Sequence, residues 1–259
     1  MQTGRLITAY FSPVGSTLRV IKHIGSLIGN AEQEIDFTVK RDENSLNIEL
    51  EPDDILVIGV PVYAGRVPQP AAVRMSSLKG NGAIAVIVAT YGNRHYDDAL
   101  IEMKTILESC GFNVTGCIAI VTEHSLVRSI AKGRPDMYDI IKIEEFAGKI
   151  SDKIKNGNGE TMTISVPGNI EYRPYHKIPF IPHASRNCSS CGVCARECPV
   201  GAIDINNPRE TDKNACISCM RCISICPWNS RKLHFHEKFM AKRAIIKKCA
   251  ERKEPELFI

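Results

Sequence analysis

The sequence predicts an α/β protein: a doubly wound, parallel, five-stranded sheet over residues 1–155, followed by a small cysteine-rich C-terminal module. Two observations carry this. Short apolar runs alternate with amphipathic stretches through the first 155 residues, and eight of the eleven cysteines crowd between Cys188 and Cys226. In order, residues 5–12 (RLITAYFS) read as a strand and residues 16–28 as a helix, with Leu18, Ile21, Leu27 and Ile28 at core spacing. Further strands are expected at 33–39, 54–60, 83–90 and 113–121, and helices at 70–78, 97–110 and 136–155. Strands separated by helices imply a parallel sheet, with ligands held beyond the strands' carboxyl ends at the switch point.

Composition bounds the rest. The chain has 259 residues, 44% of them hydrophobic, enough for one full-sized domain and a small one. Its longest apolar stretch, near 83–89, is too short to cross a bilayer, so no membrane span is expected. Residues 1–10 (MQTGRLITAY) lack the apolar core and cleavage site of a signal peptide, which makes the cytoplasm the expected compartment. Residues 1–155 carry 17 Lys+Arg against 19 Asp+Glu, whereas residues 156–259 carry 16 against 10. Much of that basic excess can offset negatively charged cofactors.

The cysteines form an internal repeat. Cys188, Cys191, Cys194 and Cys198-Pro199 are matched 28 residues later by Cys216, Cys219, Cys222 and Cys226-Pro227. Three cysteines at intervals of three wrap one face of an iron–sulfur cube, and the fourth, before proline, leaves the loop for the other cube. This assigns Cys188, Cys191, Cys194 and Cys226 to one 4Fe–4S cluster, and Cys216, Cys219, Cys222 and Cys198 to a second. Structural zinc lacks a third cysteine in step and a trailing Cys-Pro, and disulfides need an oxidising compartment. The expected function is electron transfer.

The first strand runs into Ser12-Pro13-Val14-Gly15-Ser16-Thr17, at the start of a helix. Gly15 allows close backbone approach, the helix-start amides point outward and three hydroxyls add donors, as a phosphate requires. An ordinary capped turn has the same composition. Two further segments sit at strand ends: Pro61-Val62-Tyr63-Ala64-Gly65-Arg66 and Thr90-Tyr91-Gly92-Asn93-Arg94.

With these three loops, residues 1–155 resemble the flavodoxins. With residues 187–227 added, the chain resembles the fused flavodoxin–ferredoxin family of anaerobes, through the stretches YFSPVGST, PVYAGRVP, ATYGNRHYDDAL, TEHS and AKGRPD. The resemblance implies FMN as a cofactor beside the two 4Fe–4S clusters. It implies phosphate binding by Ser12, Pro13, Val14, Gly15, Ser16 and Thr17, with Val14 standing where flavodoxins usually offer threonine. Pro61, Val62, Tyr63, Ala64 and Gly65 would flank the isoalloxazine, and Thr90, Tyr91, Gly92, Asn93 and Arg94 would meet its pyrimidine edge. Gly65 would tolerate a peptide flip toward flavin N5. Arg66 is either a cation beside the ring or a solvated surface charge.

Other signals are weaker. Gly80–Ala85 fits GxGxxA but precedes a strand where a dinucleotide site must follow one, so no NAD site is expected. His124 reads as a hydrogen-bonded structural histidine, and Cys110 and Cys117 as core residues. Asn156-Gly157-Asn158-Gly159 marks the first domain's end, and residues 156–186, rich in proline and aromatics, form an extended strap expected to pack. The cluster domain follows at 187–228. Trp228 either shields a cluster or fills a core. Residues 229–259 form a basic tail, expected to be helical, with Phe235, Phe239, Ile246 and Cys249 on one face. It reads as a cap on the small domain or as a docking surface for an acidic partner. His234 and His236 are assigned no metal.

Three functional readings compete. The first is an electron carrier passing electrons between FMN and the clusters, with protein or small-molecule redox partners. The second is a flavin-dependent reductase of a small acceptor such as a quinone, nitro compound or metal species. No acid, base or nucleophile constellation specifies that chemistry, so no catalytic residue is assigned. The third, a nucleic-acid-binding sensor, finds no recognised motif in the tail. The first is preferred.

Overall fold

The computed structural model describes residues 4–39, 48–156 and 164–259. Five strands form the parallel sheet: β1 (Leu6–Tyr10), β2 (Ala31–Asp36), β3 (Ile55–Pro61), β4 (Ile84–Tyr91) and β5 (Asn113–Val121). Their spatial order is β2-β1-β3-β4-β5, the flavodoxin-type doubly wound order. β3, β4 and β5 are buried along almost their whole length and mostly apolar, because helices cover both their faces. β2 (AEQEID) is largely exposed and polar, as an edge strand should be.

Helices α1 (Ser16–Ile28) and α4 (Met137–Asn156) pack on one face, around Ile21, Ile24, Val57, Val86 and Ile118. α2 (Gln69–Met75) and α3 (Ala99–Ser109) pack on the other, around Phe11, Phe37, Ile58, Ile87 and Leu100. α1 lies so close to β3 that a Cβ on Gly59 would stand 2.5 Å from the Ile21 Cδ1. These contacts fix the N-terminus of α1 against the carboxyl ends of β1 and β3.

The C-terminal module contains a two-stranded hairpin, β6 (His183–Ala184) with β7 (Arg231–Lys232), and two one-turn helices, α5 (Val193–Arg196) and α6 (Arg221–Ser224). Each one-turn helix follows a left-handed residue, Gly192 or Met220, so the repeat in the cysteines is repeated in the backbone.

Two features depart from expectation. The tail begins as a helix, α7 (Phe235–Ile245), continuing in a 3₁₀ turn, but ends as a short strand, β8 (Glu256–Phe258). β8 pairs antiparallel with β5, so the sheet has a sixth strand supplied from the far end of the chain. Moreover, Phe235 is 87% exposed and Phe239 58%, while Ala241 and Cys249 are the buried residues of this segment. The tail therefore packs through Ala241, Ile245 and Cys249, spaced four residues apart, against Val127, Ile130 and Phe180, and leaves its phenylalanines outside. Gly157–Gly159 lie outside the described residues.

Candidate flavin and iron–sulfur sites

A cavity of about 300 Å³ opens at the carboxyl ends of β1, β3 and β4. Of the residues singled out from sequence, Pro13, Val14, Ser16, Thr17, Pro61 to Gly65, Thr90, Tyr91, Gly92 and Arg94 line it. Ser12 and Gly15 shape the first loop without lining the cavity. The Ser12 hydroxyl accepts from the Leu18 amide at 2.9 Å, and Gly15 adopts φ 82°, a left-handed turn that suits glycine. The backbone amides of Val14, Ser16 and Thr17 take no partner among the described residues, since the first helical bond is from Arg19 to the Gly15 carbonyl. Orphan amides at the start of a 13-residue helix are the donor set that a phosphate monoester needs. Thr17 Oγ1 and Thr90 Oγ1, 2.8 Å apart, tie the first loop to the third. The residues present fit FMN.

Two of the sequence candidates stand elsewhere. Asn93 turns away: its side chain donates to the Cys249 and Glu251 carbonyls at 2.8 Å each and accepts from the Lys253 amide at 3.2 Å. It anchors the tail. Arg66 is not a cation beside the cavity; it pairs with Glu102 at 2.7 and 2.8 Å and stacks over Tyr172, 4.6 Å from the ring centre. Glu102 is buried, so the guanidinium is drawn toward it and away from the loop end. Gly65 has φ 86°, and its carbonyl accepts from the Asp98 amide at 3.1 Å, a bond that a flip of that peptide would break.

Sequence reasoning did not foresee the other walls. Strap residues His176 to Phe180 line the cavity, as do Ala241, Ala244 and Ile245 of the tail, Thr122 to Leu126 after β5, and Ser218. The strap's proline and aromatic content signalled packing, but nothing in it named the surface packed upon. His124 is held neutral: burial pushes its pKa down to about 4, aided by Arg94, and its Nδ1 accepts from the Leu126 and Val127 amides at 3.2 Å each. That leaves Nε2 to carry the ring proton.

The cysteines converge on two small cavities. One is lined by Cys188, Cys191, Cys194 and Cys226 with Trp228, the other by Cys198, Cys216, Cys219 and Cys222. Among the described residues no disulfide forms; all eight are free thiols. Arg231 lines the first cavity and is 2% exposed, yet it forms no ion pair among the described residues. Its guanidinium donates to Thr211 Oγ1 at 2.6 Å and to the Pro182, Glu210 and Pro208 carbonyls, while its Nε has no partner. A buried cation with one donor unused fits a wall facing an anionic cube. Amides of Ala202 and Ser230 donate to Cys198 and Cys226 Sγ at 3.2 Å each, as bound thiolates require. Trp228, 62% exposed, is not core packing.

The second cavity abuts the first domain. Ser218, between Cys216 and Cys219, lines the flavin cavity and donates to the strap's Ile178 carbonyl at 2.8 Å. Burial raises the Tyr63 phenol well above its ordinary value, with Cys219 and Tyr175 as further neighbours. Arg74 on α2 donates to the Pro199 carbonyl at 2.7 Å, and Arg221 on α6 to the Pro13 carbonyl at 3.3 Å. His183, His234 and His236 form a stack, with centroids 3.7 and 5.4 Å apart. His183, His234 and Glu237 offer ligand atoms within 4.8 Å of one another, but nearly parallel imidazole planes aim their lone pairs past one another. His234 and Glu237 instead close a capping box at the start of α7.

The family of 4Fe–4S dicluster domains matches residues 168–230. Among curated proteins, the RNA polymerase subunit Rpo3 of Methanosarcina acetivorans is 36% identical over 67 residues, which is 24% of this chain and 24% of that one. The chain thus spans about a quarter of the curated relatives it matches. Among solved structures, an archaeal flavodoxin is 16% identical over 59% of this chain and 99% of its own, with a TM-score of 0.42. Flavodoxin 1 of Bacillus cereus is 16% identical over 57% and 97%, with a TM-score of 0.40. The strand order of the sheet is that of a flavodoxin-type α/β fold, and the dicluster match places a 4Fe–4S domain on the same polypeptide, an arrangement that fits a fused flavodoxin–ferredoxin.

Proposed function

We propose that the protein passes electrons one at a time between FMN in the cavity at the ends of β1, β3 and β4 and two 4Fe–4S clusters, and on to redox partners. FMN would supply a centre that exchanges one or two electrons, and each cube a centre that exchanges one. The Val14, Ser16 and Thr17 amides would hold the phosphate, with the Ser16 and Thr17 hydroxyls beside them. Tyr63, Gly65, Tyr91 and Gly92 would border the ring, and the His176–Phe180 strap with α7 would keep water from it. Cys188, Cys191, Cys194 and Cys226 would ligate the first cluster, and Cys198, Cys216, Cys219 and Cys222 the second.

One observation carries this reading: the second cysteine loop forms part of the flavin cavity's wall through Ser218. Two cofactors on either side of one loop exchange electrons without a diffusional step. The strap and α7 lie over the cavity, which favours exchange through protein over docking of a small acceptor on the ring. Among the described residues no helix is long and apolar enough to cross a membrane. Eight thiols held as cluster ligands suit a reducing cytoplasm, and the basic tail, folded onto the sheet, reads as structural rather than as a nucleic-acid contact.

The test is stopped-flow reduction of the clusters with flavin absorbance followed at several dilutions. An internal step keeps its rate on dilution. A flavin phase that slows in proportion to dilution would show two independent carriers.

A further inference from the structure

The two cysteine-lined cavities face different neighbours. The second is closed in by the first domain, through Arg74 to Pro199 and Arg221 to Pro13, and by the strap, through Ser218 to Ile178. The first faces outward. Cys191 is exposed, and Trp228 stands over this cavity with 62% of its surface free. Ile205, 49% exposed, lies against Gly192 on the same loop. Two exposed guanidinium groups complete the rim: Arg196 donates to the Cys191 carbonyl at 3.2 Å, and Arg209 to the Cys188 and Ser185 carbonyls at 3.0 and 3.2 Å. Neither arginine forms an ion pair among the described residues. This part of the surface therefore presents two uncompensated cations around an exposed tryptophan, directly over two cluster ligands.

We propose that this rim, Trp228 and Ile205 flanked by Arg196 and Arg209, is the docking surface for an acidic one-electron carrier protein. The proposal rests on the electron-transfer reading above. One electron leaves the reduced carrier for the first cluster, or returns to the oxidised carrier; no bond forms and no proton is required. The second cluster, beside Tyr63 and Ser218, then relays to the flavin. An aromatic anchor with arginines around it is the composition of an interface centre, and unpaired surface cations steer a carboxylate-rich partner onto it. The exposed phenylalanines and lysines of α7 are the competing surface; that helix reaches the flavin cavity through Ala241, Ala244 and Ile245, and none of its residues lines the first cysteine cavity.

The experiment uses the intact, cluster-loaded protein and, as probe, an acidic two-cluster bacterial ferredoxin. Oxidised partners are titrated calorimetrically at low salt, and reduced probe is mixed in stopped flow. Arg196→Glu with Arg209→Glu should raise Kd and slow cluster reduction by roughly tenfold or more. Arg196→Lys with Arg209→Lys keeps the charge and loses the carbonyl bonds; it should stay within about threefold of wild type. Trp228→Ala should weaken binding while leaving the cluster's electron paramagnetic resonance signal in place.

Equal losses in the Lys and Glu pairs would mean the arginines only brace the loops, and would overturn the proposal. So would a wild type that fails to bind the probe, or a loss confined to Lys242→Glu with Arg243→Glu on α7. Reduction by methyl viologen, followed at several dilutions in parallel, separates the two failures. A concentration-dependent flavin phase sinks the wired-module reading, while calorimetry judges the rim regardless.

Discussion

Asp98 is the latch of the strap, and its removal should free the strap without unfolding the sheet. The side chain is buried; its Oδ1 accepts from the Asn169 amide at 3.0 Å and the Asn169 side chain at 3.4 Å, and its Oδ2 accepts from the Arg173 amide at 2.8 Å. Gly168 sits so close that a Cβ there would stand 3.2 Å from the Asp98 Cα. Hydrogen bonds to a charged acceptor are worth about 1.5–3 kcal/mol each. Two amide bonds are lost in Asp98→Ala, and water recovers part of the loss once the strap lifts, leaving a deficit of about 3 kcal/mol. At about 1.4 kcal/mol per decade, the lifted population should rise roughly 100-fold. Hydrogen–deuterium exchange of a peptide spanning 168–174 reads this directly, with core amides of β3 and β4 as the unchanged reference. The internal flavin phase should slow in the same variant, because the strap lines the flavin cavity through His176 to Phe180. Unchanged exchange across 168–174 would show that Asp97–Arg173 and the prolines hold the strap without Asp98, and the reasoning would fail.

Iron should approach eight atoms per chain, and Cys198→Ser should damage the cluster held by Cys216, Cys219 and Cys222; a defect confined to the Cys188, Cys191 and Cys194 cluster, seen by magnetic resonance, refutes the crossed assignment. Gly15→Val should abolish FMN retention and spare iron content, since a branched residue at φ 82° disrupts the turn that aims the amides; full flavin occupancy would sink the loop assignment. His124 gives a pH dependence: its folded pKa of about 4 lies below an unfolded value of about 6.5. The unfolded chain then binds the extra proton, so stability is complete above about pH 6.5 and falls by up to roughly 1.4 kcal/mol per unit toward pH 4. Urea denaturation of wild type and His124→Gln between pH 7 and 5 should show a flatter profile in the variant, and identical profiles would refute it.

The strands and helices of the first domain were legible because each is a long periodic or apolar run, and their boundaries in the structure agree to within a few residues. β8 was not. Three residues, Glu256 to Phe258, carry no periodicity, and they become a strand because β5 offers an open edge. The face of α7 was misread for a related reason. Phenylalanines dominate any apolar count, but the surface that α7 meets, Val127, Ile130 and Phe180, already fills the space, so Ala241 and Cys249 are what fit beneath the helix. Arg66 was visible as a cation next to a flavin loop, whereas Glu102, its buried partner 36 residues away, became its neighbour only through the packing of α3. That Cys188, Cys191, Cys194 and Cys226 line one cavity and Cys198, Cys216, Cys219 and Cys222 another needed no such long-range knowledge, because the spacing and the repeat already sort them into these two groups.

The return of the tail changes what the fusion means physically. Had the cluster module simply followed the sheet, it could have swung on its strap. Instead the chain leaves the sheet at α4, builds the cluster module, and comes back through α7 to pair β8 with β5. The way back is fastened at side-chain level: Asn93 holds the Cys249 and Glu251 carbonyls, Arg134 donates to the Lys253 carbonyl at 2.8 Å, and Arg252 pairs with Asp136 at 2.7 Å. The cluster module is thus an insertion with both ends clamped, and Asn93 belongs to the loop that follows β4 beside the flavin cavity. Loosening the tail must therefore disturb the cavity wall that Ala241, Ala244 and Ile245 form. A tethered pair of carriers would lose only encounter frequency. Asn93→Ala distinguishes the two, since it should raise exchange across 249–256 and slow the internal flavin phase in one variant, although Asn93 lines neither cysteine cavity.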